Sequence, residues 1–105
     1  MHVILWEFQA RGGQEAEFER AYGPEGVWAK FFRSGDGYLG TELWRDQDRP
    51  GRYVTVDRWT TSEAYETFRA AHPDEYKAID ARCEMLTERE AHLGSFANRQ
   101  AGAAS

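Results

Sequence analysis

The sequence lacks paired cysteines, because Cys83 is the only cysteine among its 105 residues. An internal disulfide and a cysteine-based zinc site are both excluded, and a reduced protein is expected. The chain also has no apolar run near the roughly 20 residues that span a bilayer. Its first residues, MHVILWEF, lack the basic start and long apolar region of a signal peptide. We therefore expect a soluble, cytoplasmic protein with no membrane partner.

Positive charge is scarce as well. The chain has 13 Lys and Arg against 18 Asp and Glu, which leaves a net charge of -5. The basic residues are scattered, mostly beside acids, whereas phosphate binding needs clustered Lys and Arg. Nucleic acid is therefore not an expected partner. The length fits a single domain with one core.

Motifs for metals and cofactors are missing or stand in the wrong context. Gly35–Gly40 spells G-x-G-x-x-G, but a helix precedes it and a strand follows, the reverse of the dinucleotide-binding order. The histidines His2, His72 and His92 form no ligand pair at helical or hairpin spacing. We expect neither a metal nor a cofactor. Any chemistry would then use aromatic, acidic and histidine side chains, or the substrate's own reactivity.

Hydrophobic periodicity and chain-breaking residues divide the chain into strands and helices. The patterns predict a strand over Val3–Ala10, followed by helices over Gln14–Tyr22 and from Pro24 to Phe32. They then predict a hairpin over Gly37–Thr60 with its turn at Asp46–Gly51. A helix after a capping box at Thr60–Glu63, a helix from Pro73 and a strand over Glu90–Ala97 complete the predicted elements. This β-α-β-β-α-β order predicts an α+β, ferredoxin-like fold, with helices on one face of a four-stranded antiparallel sheet. One domain is expected over residues 1–97, followed by a disordered tail over residues 98–105.

The first strand, VILWEF, is apolar on both of its faces. Helices can cover only one face of the sheet, so the other face needs a different cover. In a chain this short the simplest cover is a second copy of the same chain. A twofold homodimer is therefore expected.

The second hairpin strand carries the best clue to function. One of its faces presents Tyr53, Thr55, Asp57 and Trp59. Large aromatics beside an acid predict a lined cavity between the sheet and the helices. A buried Asp57 would have a raised pKa and could act as a base for a phenol, and the alternative is a salt bridge to Arg82 or Arg45. Trp59 is the leading candidate for a pocket wall and a catalytic role, and the alternative is core packing over the helix start.

Six further side chains are candidates for substrate binding: Tyr53, Tyr65, Tyr76, Trp28, Phe32 and His72. The tyrosine hydroxyls could donate hydrogen bonds to a quinone-like oxygen, and Trp28 and Phe32 could wall a flat ligand. The alternative for the aromatic residues is amphipathic core packing. His72 is also placed to cap a helix.

These segments resemble a known family. The pattern GYLGTELWRD, RYVTVDRWTTSEAYETF, HPDEYKAIDARCEMLTERE and HLGSF is similar to the antibiotic biosynthesis monooxygenase (ABM) domain, a branch of the dimeric α+β barrel superfamily. The likeness covers about residues 2–97, and its most specific part is Trp59 followed by Thr61–Tyr65. The resemblance implies a dimeric α+β barrel. Some members of this family are cofactor-free oxygenases of aromatic polyketide phenols, in which the substrate anion reacts with oxygen, and others bind and degrade haem.

The haem-degrading branch is disfavoured at two positions. Its members use a histidine on the later helix as iron ligand, and this chain has Asp80 there. They also use an asparagine in the first strand, where this chain offers Trp6, Glu7 or Phe8. Trp59 matches a tryptophan that presses on the macrocycle in those members. The resemblance therefore implies a cofactor-independent monooxygenase acting on a small phenol or quinol. The alternatives are a non-catalytic protein that binds a small ligand or haem, and a bare dimerisation unit.

Overall fold

The computed structural model describes residues 1–99 and contains one four-stranded antiparallel sheet with helices on one face. The elements are β1 (His2–Ala10), α1 (Glu15–Tyr22), α2 (Val27–Phe32), β2 (Tyr38–Arg45), β3 (Arg52–Trp59), α3 (Ser62–Ala71), α4 (Pro73–Cys83), a 3-10 turn (Glu84–Leu86) and β4 (Thr87–Ala97). The strand order is β2-β3-β1-β4, so the first strand lies in the interior of the sheet, as its apolar faces predict. The predicted ferredoxin-like α+β fold is confirmed.

The layer between the sheet and the helices is closely packed at two ends. Near α1, the ring centroid of Phe18 lies 4.6 Å from that of Tyr53 and 5.4 Å from that of Phe8. Near α3, the ring of Trp59 lies 5.6 Å from that of Phe68. Offset and tilted aromatic pairs at these distances are favourable beyond their buried area. These two aromatic clusters hold the helices against the sheet.

Two helices begin at residues other than those that the sequence predicts. The N-cap of α3 is Thr61, whose Oγ1 accepts a hydrogen bond from the Ala64 N–H at 3.0 Å. The predicted cap, Thr60, was wrong by one residue, because the Thr60 N–H is held by the Gly37 carbonyl at 2.7 Å. Pro24 lies in a turn before α2 and does not begin the helix. Pro73 occupies the first turn of α4, as predicted.

The last strand begins earlier than its sequence indicates. The structure starts β4 at Thr87, three residues before the predicted Glu90, and pairs Thr87 with Ala10 and Arg89 with Gln9. Charged residues at the start of β4 hide the strand pattern, because most of this edge strand is exposed. A register shift opposite Leu5 and Trp6 then kinks the strand.

The chain end is described only as far as residue 99. The predicted tail begins at Asn98, whose N–H donates to the Met1 carbonyl at 3.0 Å. The rest of that prediction, residues 100–105, lies outside the described residues. No helix within residues 1–99 is long and apolar enough to cross a membrane.

Candidate functional site

A pocket lies in the middle of the layer between the sheet and the helices. Its floor consists of six strand residues: Ile4, Trp6, Phe8, Thr41, Thr55 and Asp57. Its roof consists of five aromatic residues from the helices: Tyr22, Trp28, Phe32, Tyr65 and Tyr76. Two further acids, Asp80 of α4 and Glu90 of β4, complete the lining. The cavity between these side chains has a volume of about 60 Å³, and the space reaches about 560 Å³ only when the open mouth is included.

The pocket exists because the floor dips along β3. Thr55 and Asp57 are short side chains that lie between the much larger Tyr53 and Trp59 on the same face. The large rings contact the helices directly, whereas the short side chains do not reach them. The sequence predicts that the row from Tyr53 to Trp59 lines a cavity, and the structure places Thr55 and Asp57 in the lining but not the two large rings.

Asp57 is the most unusual group in this pocket. Its Oδ1 accepts a hydrogen bond from the Thr41 hydroxyl at 2.6 Å, and Thr41 is in turn 2.5 Å from the Tyr38 hydroxyl. Burial raises the pKa of the Asp57 carboxyl from its ordinary 3.8 to about 6, and the Thr41 hydrogen bond only partly opposes this rise. Asp57 is therefore a poorly solvated carboxylate in a largely aromatic site.

The predicted alternative for Asp57, a salt bridge, is not what the structure shows. No ion pair within residues 1–99 includes Asp57. Arg45 instead lies 3.9 Å from Glu19. A buried carboxylate without a cation is more basic than an exposed one, because only the Thr41 hydrogen bond stabilises its charged form against the loss of solvation.

Trp59 lies in the core rather than in the pocket wall. Its side chain is 0% exposed, and its ring packs at 5.3 Å from Tyr38, 5.5 Å from Tyr65 and 5.9 Å from Phe32, measured between centroids. The indole Nε1 has no hydrogen-bond partner within the described residues. Trp59 thus supports the back of the pocket through the rings that line it, which is the packing alternative. Its predicted catalytic role stays a prediction.

Four of the six predicted binding residues do meet at the pocket: Trp28, Phe32, Tyr65 and Tyr76. Arg69 joins the two tyrosines, since it donates to the Tyr65 hydroxyl at 2.7 Å and its guanidinium carbon lies 3.6 Å from the centroid of the Tyr76 ring. This clamp keeps both rings in place over the floor.

The other two predicted binding residues lie elsewhere. Tyr53 is buried at the α1 end, and its hydroxyl donates to Glu19 at 2.5 Å. The Nδ1 of His72 is 2.6 Å from Glu75, and its ring packs on Phe68 with 4.5 Å between centroids. Both side chains form hydrogen bonds with nearby acids, and neither lines the pocket.

Sequence reasoning missed several lining residues, notably Thr41, Asp80 and Glu90. Asp80 has a detectable signal, because it lies four residues after Tyr76 and so on the same face of α4. Thr41 is the cross-strand partner of Asp57, but that register depends on the hairpin turn. Glu90 was assigned to the start of a strand, and only the pairing with Phe8 shows which way it faces.

Comparison with models of protein families shows to which family this chain belongs. Residues 1–82 match the model of the antibiotic biosynthesis monooxygenase family, and the chain belongs to that family. Comparison with curated protein sequences gives no significant match.

Several solved structures are similar to it. A mutant of SnoaB, a cofactor-independent oxygenase from Streptomyces nogalater, has 26% identity and a TM-score of 0.73, with 95% of this chain and 94% of that chain covered. MhuD, solved with two manganese protoporphyrin IX molecules per active site, has 21% identity and a TM-score of 0.70, with 93% and 94% covered. Rv0793 from Mycobacterium tuberculosis has 18% identity and a TM-score of 0.66, with 92% and 93% covered. The latter two likenesses bear on the fold alone.

Proposed function

We propose that this protein is a cofactor-independent monooxygenase that oxidises a small, flat phenol or quinol in the central pocket. The observation that carries the proposal is the Asp57 carboxylate, which faces an aromatic pocket, pairs with no cation within residues 1–99 and has its pKa raised to about 6 by burial. Such a group is mostly ionised near neutral pH and is basic enough to take a phenolic proton. The similarity to SnoaB supports the same reaction class.

The proposed reaction balances without a further reactant besides oxygen. Asp57 takes the proton of the phenol hydroxyl, and the electron-rich ring carbon of the resulting anion forms a bond to O₂. The proton returns from Asp57 to the distal peroxide oxygen, which gives a ring hydroperoxide. This intermediate loses its ring hydrogen and the distal hydroxyl as water, so that phenol and O₂ become quinone and water. The aromatic roof excludes bulk water and holds the flat ring against Asp57.

Haem, which the family also accommodates, does not fit this lining. A haem would bring anionic propionates and needs a ligand for its iron, whereas the lining contains three carboxylates, Asp57, Asp80 and Glu90. No histidine belongs to the pocket lining within residues 1–99. No group of three or more His, Cys, Asp or Glu side chains in that range could hold a metal ion. We therefore propose no step through a haem.

The homodimer and the cytoplasmic location expected from the sequence are part of the same proposal. The outer face of the sheet, on the side without helices, carries the half-buried Val54 and Val56 and the exposed Trp44 and Phe96. An apolar sheet face of this kind is covered most simply by a second copy of the chain.

The proposal is tested by oxygen consumption with a panel of phenols and naphthols, followed by analysis for quinone. Asp57→Asn keeps the size of the side chain but removes the base, so kcat/KM should fall by about two to four orders of magnitude. The wild-type kcat/KM should rise with pH through about pH 6, as Asp57 loses its proton. The matched control is Asp74→Asn on the exposed start of α4, which should keep full activity. Ligand-dependent thermal stabilisation without oxygen uptake would indicate a binding protein instead.

A further inference from the structure

A chain of hydrogen bonds leads from the pocket acid to a neighbouring strand. The Tyr38 hydroxyl lies 2.5 Å from Thr41 Oγ1, and Thr41 Oγ1 lies 2.6 Å from Oδ1 of Asp57. Thr41 has one hydroxyl hydrogen, and an ionised carboxylate has none to donate. While Asp57 is ionised, Thr41 therefore donates to Asp57, and the Tyr38 hydroxyl donates to Thr41. The charge on Asp57 thus sets the direction of both hydrogen bonds.

A bulge in β2 brings Tyr38 and Thr41 to the same face of the sheet. Residues three apart in a regular strand lie on opposite faces. Here Tyr38 pairs with Trp59 and Thr41 pairs with Asp57, so three steps along β2 match two along β3. The irregularity lies next to Gly40, whose φ of 144° favours glycine. Bulges of this kind re-aim side chains beside active sites, and the hydrogen-bond chain depends on this one.

Packing holds the Tyr38 ring in place. Its centroid lies 5.3 Å from that of Trp59 and 5.8 Å from that of Phe32. Tyr38 itself does not line the pocket, whereas Thr41 and Asp57 both do. An effect of the Tyr38 hydroxyl on a bound molecule therefore passes through Thr41 and Asp57.

Within residues 1–99, Thr41 is the one polar group that favours the charged form of Asp57. Burial raises the pKa of Asp57, and the Thr41 hydrogen bond lowers it. Titratable side chains approach this region from several elements: Tyr22, Tyr65, Tyr76, Asp80 and Glu90 in the pocket lining, His2 beside Tyr65, and Arg33 and Glu25, whose charges act on Tyr38. None of them contributes to the shift in the Asp57 pKa.

We propose that Tyr38 and Thr41 are positioning residues, which act through Asp57 by holding its Oδ1 and leaving Oδ2 free to take the substrate proton. Oδ2 receives no hydrogen bond within residues 1–99. A carboxylate held at one oxygen presents the other oxygen in a fixed geometry. The Thr41 hydrogen bond also limits how far burial raises the Asp57 pKa, which keeps the base ionised near neutral pH. The positioning role rests on the proposed function, whereas the effect on Asp57 itself does not.

The test follows the Asp57 carboxyl directly and needs no turnover. NMR titration of protein with isotope-labelled aspartate carboxyls gives the pKa of Asp57, whose signal is assigned by its absence from Asp57→Asn. Thr41→Val keeps the size of the side chain but removes the hydroxyl. It should raise the pKa of Asp57 by about 1 to 2, because one hydrogen bond to a charged group is lost. Thr41→Ser should keep the wild-type pKa, and so should the matched control Thr67→Val on the exposed face of α3.

A double-mutant cycle tests whether Tyr38 acts through Thr41. Tyr38→Phe removes one oxygen from a half-buried ring and should raise the pKa of Asp57 by roughly a few tenths, since Thr41 can still donate. The same change in the Thr41→Val background should add nothing. An equal effect in both backgrounds would overturn the chain, and so would an unaltered Asp57 pKa in folded Thr41→Val. If Thr41→Val does not fold, Tyr38→Phe alone decides, because an unchanged pKa there contradicts the chain.

Kinetics separates this inference from the proposed function. In Thr41→Val, the rise of kcat/KM with pH should move upward together with the Asp57 pKa. At pH 6, kcat/KM should fall by about tenfold, and it should recover toward the wild-type value at higher pH. A purely structural defect would lower kcat/KM alike at every pH, and a pKa that moves without the pH profile would overturn the positioning role. If no phenol is oxidised but the pKa responds as stated, the proposed reaction fails and the hydrogen-bond chain stands.

Discussion

At the scale of single residues, the charge in the pocket depends on which ionisable side chains form ion pairs and which do not. Asp57 has one hydrogen bond, from Thr41, and no ion pair within residues 1–99. Arg52, on the opposite face of the same strand, forms ion pairs with both Glu7 and Asp46. The same strand therefore carries a neutralised charge on one face and an uncompensated one on the other. Uncompensated buried charge is a cost to stability that functional sites commonly carry.

Asp57 should make stability fall as pH rises. In the unfolded chain its carboxyl loses the proton near its ordinary pKa of 3.8, whereas the folded protein holds the proton up to about 6. Between those values the folded state binds more protons, so its stability declines through this window and stays lower above it. Asp57→Asn should therefore raise the free energy of unfolding near pH 7 by about 3 kcal/mol, and by little below pH 3.8.

The measurement is urea unfolding of wild type and Asp57→Asn at both ends of that pH range. Asp74→Asn serves as the control, because it removes the same charge from an exposed position on α4. A gain in Asp57→Asn that is the same at low and neutral pH would contradict the assignment of a raised pKa.

Trp59 should behave as a core residue. Trp59→Phe loses buried ring volume but breaks no hydrogen bond, because the indole Nε1 has no partner within residues 1–99. We expect a loss of about 1 to 3 kcal/mol in the free energy of unfolding with kcat changed less than about threefold. Denaturation and steady-state kinetics on the same preparation check both. The control is Met85→Leu at a site that is 74% exposed, which should be nearly neutral for stability. A large loss of kcat with intact folding would support the predicted catalytic role of Trp59.

At the scale of elements, local sequence signals specify most of the fold. Gly23–Pro24 separates α1 from α2, and Pro73 begins α4, because proline fits a helix only before or within its first turn. Gly26 must be glycine, since a Cβ there would lie 2.2 Å from the Ala21 carbonyl oxygen. The errors occur where two adjacent residues can serve equally well, as at Thr60 and Thr61, or where exposure hides a strand, as at the start of β4.

The cap of α3 should contribute measurably to stability. Thr61→Ala removes the acceptor for the Ala64 N–H and should cost about 1 kcal/mol of unfolding free energy. Thr67→Ala, on the exposed interior of the same helix, is the matched control and should be neutral or slightly stabilising. Thermal unfolding of both variants distinguishes them. Equal effects at the two sites would argue against Thr61 as the cap.

At the scale of the whole molecule, the two faces of the sheet have different roles. The helix side contains the pocket. The opposite side combines apolar residues with charges that are already paired, as in the Arg58–Glu42 contact of 3.2 Å. Neutralised charges can be buried at lower cost than free ones. That face is therefore suited to an interface between copies of the chain.

Trp44→Glu should disrupt such an interface. Trp44 is cross-strand from Val54 on the outer face and is 60% exposed, so a charge there would be buried without a partner in a dimer. We expect sedimentation velocity to show a dimer for wild type and a shift toward monomer for the variant. Met85→Glu, which changes a side chain that is 74% exposed in the 3-10 turn, is the control and should leave the dimer intact. A wild-type monomer at micromolar concentration would contradict the proposed assembly.

The sequence by itself determined the order of the elements, the antiparallel sheet with helices on one face, and the row of residues from Tyr53 to Trp59 that faces those helices. These features follow from local patterns: alternation in strands, helical spacing and chain-breaking residues. Only the tertiary structure decided which side chains share the pocket. Trp59 lies in the core, and Tyr53 lies at the end of the core next to α1. Thr41, Asp80 and Glu90 line the pocket together with Asp57. The reason is physical, because a pocket is formed by residues distant in the chain, and its lining depends on strand register and on which large rings fill the space first.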